Sequence, residues 1–270
     1  MLVASSGAGM AQNIVLRIAA IAFLATMRAG AADAVRPVSD ALCADMQATH
    51  VLNAGAPVGC DRLKLVEFDY VDFAGTEHTD GQMVVMDAVA DRVLGIFHTL
   101  RQKRFPIAKA KLMDAYTGND EASMADDNTS AFNVRPIKDG DRISLHAYGL
   151  AIDLNPVENP YVARNGATFT FDPPAGADHF NRTIRRPGKP DRRGTAEAVI
   201  DVFTENGFTD WGGYWDDPID YQHFDVGRAM AETLARLPPD QAKAEFERSI
   251  ARARACRNAK NPAARLRCEQ

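Results

Sequence analysis

Apolar and polar positions first alternate clearly at RLKLVEFDYVDF (62–73), where Leu63 and Leu65 sit between charged residues and β-forming side chains follow. That pattern predicts a strand. The glycines and polar residues of GTEHTDGQ (75–82) predict a turn or hairpin loop. From 83 to 105 the period changes. Val85, Ala88, Val89, Val93, Ile96, Phe97 and Leu100 recur at helical spacing, and Pro106 stops the run. IAKAKLMDAY (107–116) reads as another strand, and the Gly- and Asx-rich stretch 117–140 as loop. RISLHAYGLAIDLNP (142–156) is a mostly apolar strand, and 157–194 is an irregular insertion long enough to shape a binding site. TAEAVIDVFTENG (195–207) predicts a short helix with Thr195 as N-cap and Gly207 just past its end. An aromatic, turn-rich segment (208–226) follows, then two or three helices split at Pro238-Pro239. Residues 35–60, with Pro37, Gly55, Pro57 and Gly59, read as irregular. Strands, a helix and more strands without regular alternation predict an α+β fold with a mostly antiparallel sheet.

Composition changes this picture at the ends of the chain. A length of 270 residues, 46% hydrophobic and 25% charged, suits an ordinary globular protein. The net charge of −5 and the lack of a long basic run argue against a nucleic-acid partner. Ile14 to Met27 is apolar apart from Arg17, and Ala29-Gly30-Ala31 and Ala32-Asp33-Ala34 both fit a signal-cleavage pattern. The run is shorter than the ~20 residues of a spanning helix. Residues 1–34 are therefore expected to be a secretory signal. The mature chain would then have no integral membrane segment and would work in the periplasm or outside the cell. The four cysteines, at 43, 60, 256 and 268, fit disulfides in such a compartment. Cys43–Cys60 with Cys256–Cys268 are the short-loop pairings among three connectivities. No C-x-x-C is present, which speaks against a thiolate zinc site.

Candidate chemistry starts in GLAIDL. As a strand it points Leu150, Ile152 and Leu154 to one face and Gly149, Ala151 and Asp153 to the other, clearing bulk around one carboxylate. His146 lies seven residues before Asp153, an odd offset that a regular strand would aim the wrong way. Gly149 supplies a place to bend. In DYQHF, His223 brings a second imidazole and Asp220 a carboxylate three residues earlier. Two histidines and one aspartate suit zinc with a fourth position left for water, and Asp220 is then free to act as a base. His50, His78, His98 and His179 have no such partner pattern.

SLHAYGLAID, followed about seventy residues later by DYQHFD, resembles the M15 metallopeptidases, the D-alanyl-D-alanine carboxypeptidase group. The likeness is to the subgroup of VanY-like carboxypeptidases and phage endolysin L-alanyl-D-glutamate peptidases. GFTDWGGYW (207–215), NTSAFNVRPI (128–137) and RFPIAKAKLMDAY (104–116) also resemble family segments, so the likeness spans about residues 62–227. It implies one zinc ion held by His146, Asp153 and His223, with Asp220 as catalytic base and Arg135 facing the oxyanion. Ser144 and Trp211 would line the substrate cleft. It further implies a Hedgehog/DD-peptidase-like α+β fold, with a small central antiparallel sheet and flanking helices, over 35–227. A C-terminal helical extension (228–270) would follow. The expected partner is the peptidoglycan stem peptide, cut next to a D-amino acid by a monomeric enzyme. The rival readings are a metal-containing wall-binding protein without catalysis and a metal hydrolase of another small amide or ester.

Overall fold

The structure is a computed structural model that describes residues 33–138 and 140–258. The expected signal up to residue 32, and Cys268, lie outside them. β1 (Ala34–Pro37), α1 (Asp40–Ala48), β2 (Leu63–Val71) and β3 (Glu77–Met86) come first, and the strands form an antiparallel sheet in the order β1-β2-β3. Residues 35–60 are thus more regular than expected. Ser39 caps α1 by accepting from the Leu42 N–H, and the Cys43–Cys60 disulfide ties the helix to the approach of β2. The strand predicted at 62–73 is present as β2. The expected loop at 75–82 is a correction: the turn is confined to 72–76, and Glu77 onward pairs with β2. The helix expected from residue 83 is also shorter, because Met83 to Met86 complete β3 and α2 runs only Ala90–Gln102. Both faces of that strand end are buried, so its four apolar residues show no alternation from which the sequence could reveal a strand. α2 lies across β2, with the Phe68 and Phe97 rings stacked at 3.9 Å.

The strand expected at 107–116 is absent. The segment forms isolated bridges and a 3-10 turn at Met113–Tyr116, and α3 (Asp120–Ala125), capped by Asn119, stands inside the expected loop. β4 (Ala151–Asp153) is followed by β5 (Tyr161–Asn165) and β6 (Thr168–Asp172), a hairpin that gives the insertion order. Its two ends are fastened by buried asparagines. Asn155 donates to the carbonyls of Pro106 and Gly194, and Asn159 accepts from the Ala196 N–H and from Arg182. The helix expected at 195–207 divides: Thr195 precedes a 3-10 turn, and α4 covers Ile200–Glu205. β7 (Asp210–Trp211), β8 (Ile219–Asp220) and β9 (His223–Asp225) follow, then α5 (Arg228–Arg236) and α6 (Pro239–Arg257), split at the expected prolines.

The fold is α+β and every pair of strands is antiparallel, as expected. One central sheet is not found. The described residues form three three-stranded sheets instead, β1-β2-β3, β4-β9-β7 and β6-β5-β8. Ala231 and Leu234 of α5 and Ala242, Phe246 and Ile250 of α6 join the same core as Val93 and Phe97. Cys256 is disulfide-bonded.

Two features of this packing have measurable consequences. Gly149 has φ +67°, and a Cβ there would lie 2.6 Å from the Met86 nitrogen. Left-handed strain and backbone overlap together predict that Gly149→Ala costs about 2–4 kcal/mol in denaturant unfolding. An unchanged midpoint would show that the close approach does not exist. The second feature is the Asp127–Glu158 carboxyl pair. Burial first, then the Asp127 charge, raises Glu158 far above its ordinary value of 4.5. The folded state therefore holds a proton that the unfolded chain releases, so stability should fall as the pH rises above that value. Glu158→Gln should flatten this slope in unfolding curves at pH 5 to 8; a slope equal to that of the parent would exclude a proton held by this pair.

Candidate metal centre and active site

β4 and β9 pair antiparallel with Asp153 opposite His223, which sets these two side chains next to each other on one face. Phe224, between His223 and Asp225, points the other way and stacks on Phe203 at 4.0 Å. His146 arrives differently. It sits in a 3-10 turn, Leu145–Tyr148, started by Ser144, whose hydroxyl accepts from the His146 N–H, and ended by Gly149 in the left-handed region. The bend expected at Gly149 is there, and it turns the imidazole toward Asp153.

The three side chains meet out of solvent, each less than a tenth exposed. His146 Nε2 is 3.1 Å from Asp153 Oδ2, His223 Nδ1 is 3.1 Å from Asp153 Oδ1, and the two ring nitrogens are 3.2 Å apart. The far nitrogens fix the tautomers. His146 Nδ1 donates to the Ala131 carbonyl at 2.6 Å, and His223 Nε2 donates to Asp225 Oδ2 at 3.0 Å. Neither acceptor has a proton to give, so each neutral imidazole turns a lone pair inward. Two lone pairs and a carboxylate then face one another, an arrangement that needs a positive charge among them. A proton can supply it: burial works against a charged His223, but its bonds to Asp153 and Asp225 raise it well above the ordinary value. Asp153 is lowered, because His146 and His223 outweigh the burial that would push it up. A metal ion can supply the charge as well. One donor atom from each residue lies within 4.8 Å of the others, among the described residues the one such group of three or more.

Residues 138–226 match the family model for D-alanyl-D-alanine carboxypeptidase. The matched segment is about a third of the chain, and through it the chain is similar to the M15 peptidases. No curated protein and no solved structure matches the chain. The matched segment contains all three convergent residues and Asp220, while Arg135 lies just before it.

A cavity of about 380 Å³ opens onto this site, lined among others by His146, Asp153, His223, Asp220, Arg135 and Ser144. Asp220 is carried on β8, and its Oδ1 has neither accessible surface nor a hydrogen-bond partner. Burial first and the Asp153 charge second raise its carboxyl to about 6, with His223 pulling the other way. Gly212 makes room beneath it. A Cβ on that glycine would come within 2.4 Å of the Asp220 carbonyl oxygen. Gly212→Ala should therefore displace Asp220 and lower kcat by about tenfold or more with metal content unchanged; full activity would show that the position of Asp220 tolerates the shift.

Arg135 lines the cavity while its Nη2 pairs with Asp120 at 2.7 Å and its buried Nε has no partner. Ser144 lines it as well, and its N–H donates to the Arg135 carbonyl at 3.0 Å. Trp211 does not line it. That indole is buried, donates Nε1–H to the Tyr221 carbonyl at 2.8 Å and packs on Phe224, which supports the wall from behind. The tryptophan facing the site is Trp215, with its ring 5.4 Å from His223. Sequence reasoning also passed over Asp225. Its signal was present in HFD, since residues two apart on a strand share a face and an acid beside a histidine can orient it.

Proposed function

We propose that this chain is an M15-type exported zinc peptidase that cuts peptidoglycan stem peptides beside a D-amino acid. The observation that carries the reading is the inward-facing lone pairs of His146 and His223 against Asp153, in a cavity that also holds Asp220 and Arg135. The donor set fits the ion. Two imidazole nitrogens and one carboxylate are a usual ligand set for catalytic zinc, and Asp225 and the Ala131 carbonyl supply the outer hydrogen bonds that hold ligating histidines in orientation. When bound, the ion supplies Lewis-acid polarisation and makes water ionisable near neutral pH.

The remaining chemistry falls to the chain itself. Asp220 lines the same cavity, with one carboxylate oxygen unpartnered and a raised affinity for protons, which suits a group that takes a proton from the attacking water and passes it to the leaving amine. Arg135 is held by Asp120 with its guanidinium at the cavity, where a fixed cation favours the negative charge that develops on the carbonyl oxygen. Arg142 and Arg228 also line the cavity, where Lys138 is paired with Asp172. Export is supported by the apolar N-terminal run and by the Cys43–Cys60 bridge, since such bridges persist in oxidising compartments. Among the described residues no helix is long and apolar enough to cross a membrane.

Mass analysis of purified muropeptides after incubation tests the reading. Release of one alanine identifies D-alanyl-D-alanine carboxypeptidase action, and two peptide halves identify L-alanyl-D-glutamate endopeptidase action. Unchanged muropeptides with zinc bound would end the proposal.

A further inference from the structure

Away from the cavity, the connection between the β5–β6 hairpin and α4 concentrates positive charge. DHFNRTIRRPGKPDRR (178–193) carries five arginines and a lysine against two aspartates. Arg182 is fully engaged: it grips Glu197 with two nitrogens at 2.7 and 2.6 Å, and its guanidinium lies 4.3 Å over the Tyr221 ring. Arg193 donates to the Phe73 carbonyl. Arg186 donates one Nη2–H to the Pro190 carbonyl at 2.9 Å within the loop, and its other side-chain nitrogens and those of Arg192 are placed otherwise. The Arg192 N–H bonds to the Ile184 carbonyl at 2.9 Å and the Lys189 N–H to the Arg186 carbonyl at 3.0 Å, which folds the loop back on itself. Among the described residues neither has a carboxylate within 4.0 Å.

The group has two guanidinium donors with nothing to donate to, and an imidazole nitrogen that can join them as a donor in its Nδ1–H tautomer. Arg186 Nε, Arg192 Nε and His179 Nδ1 are each without accessible surface and without a hydrogen-bond partner. The three side chains and Arg182 also feel one another. Burial, then Arg186 and Arg182, lowers Arg192, with Asp178 opposing. Burial, then Arg192, Arg182 and Arg186, lowers His179, again with Asp178 opposing. Like charges held together over unmade hydrogen bonds are costly. Such an arrangement is stable once an anion completes it, and guanidinium groups bind oxyanions with directed, charge-assisted bonds.

We propose that Arg186, Arg192 and His179 form a binding site for a phosphoryl group, separate from the peptidase cavity. Two guanidinium groups without carboxylate partners match a charge near −2, and three donors from three side chains match three terminal oxygens better than the two of a carboxylate. None of the three residues lines the cavity, and the site stands whether or not the chain cuts peptidoglycan. The group could belong to a soluble phosphate ester or to a lipid headgroup, and the test separates these.

Calorimetric titration of the mature chain with inorganic phosphate, at constant ionic strength, should show one site per chain. The double variant Arg186→Gln/Arg192→Gln should lose at least about tenfold in affinity. His223→Ala and Arg193→Gln should keep it, which excludes phosphate bound at the metal centre and general attraction by the loop. Binding to phosphatidylcholine vesicles only when they contain phosphatidate, and competed by phosphate, would make the source a lipid; phosphate binding without vesicle binding would make it a soluble ester. Equal affinity in the parent and the double variant, or acetate binding as well as phosphate, would overturn the proposal. The His179 ring resonances of the unmutated protein give a check that needs no variant: they should move as phosphate is added, and stationary resonances would also overturn it.

Discussion

Asp220→Asn should keep the metal and lose about 10²–10⁴-fold in kcat on muropeptides. The substitution keeps size and shape while removing the ability to accept a proton, so it separates proton transfer from packing. Asp220 is outside the group of three residues whose donor atoms converge, so metal content measured by atomic emission should stay near that of the parent. Its place on β8, paired through Tyr161 to the insertion hairpin, does not depend on the carboxylate. The carboxylate is also a liability for the empty fold, because burial and the Asp153 charge both oppose its ionisation. Asp220→Asn should therefore be at least as stable as the parent in thermal unfolding, an outcome expected of a residue kept for chemistry. Turnover equal to the parent would remove Asp220 as the base, and loss of metal would make it a ligand instead.

How legible this site was depends on how local its geometry is. Asp153, Asp220, His223 and Arg135 could be picked out because each lies in a short stretch with a recognisable pattern, and the convergence itself rests on one strand pairing, Asp153 against His223. The glycine that re-aims His146 was also readable, since a side chain at the wrong strand offset needs a backbone device nearby. The misreadings share one physical cause. Met83 to Met86 are buried on both faces, so neither period marked them as strand. The 107–116 segment is set by contacts with distant residues, such as the Gln82 N–H on the Ala110 carbonyl, and not by its own alternation. Trp211 and Trp215 illustrate the same limit at the site. Four residues apart in one aromatic stretch, they differ in role because a 3-10 turn at Gly212–Tyr214 carries one to the cavity and leaves the other behind it. The asparagine bonds that fasten the insertion join residues 23 to 49 positions apart, and nothing in the local pattern announces them.

His223→Ala should abolish zinc binding and turnover together, and it should also remove a zinc-dependent gain in stability. In the metal-free parent the convergent acceptors are reconciled by a proton, which is why His223 is raised despite its burial. A group with a raised folded-state value contributes stability that is full below its unfolded value of 6.5 and is lost as the pH rises through the folded value. The metal-free protein should therefore weaken as the solution is made alkaline. Zinc takes over the proton's role, so binding should release about one proton, measurable by calorimetry in buffers of different ionisation enthalpy. At a free zinc concentration a thousand times its Kd, the gain in stability should be about 4 kcal/mol. Chelation should reverse the gain and end turnover, and readdition of zinc should restore both. In His223→Ala one lone pair and one of the two partners of Asp153 are gone, so zinc should leave the unfolding midpoint nearly where it was. If zinc raises the midpoint equally in the parent and in His223→Ala, the ion is bound elsewhere and the three convergent side chains are a structural hydrogen-bond cluster.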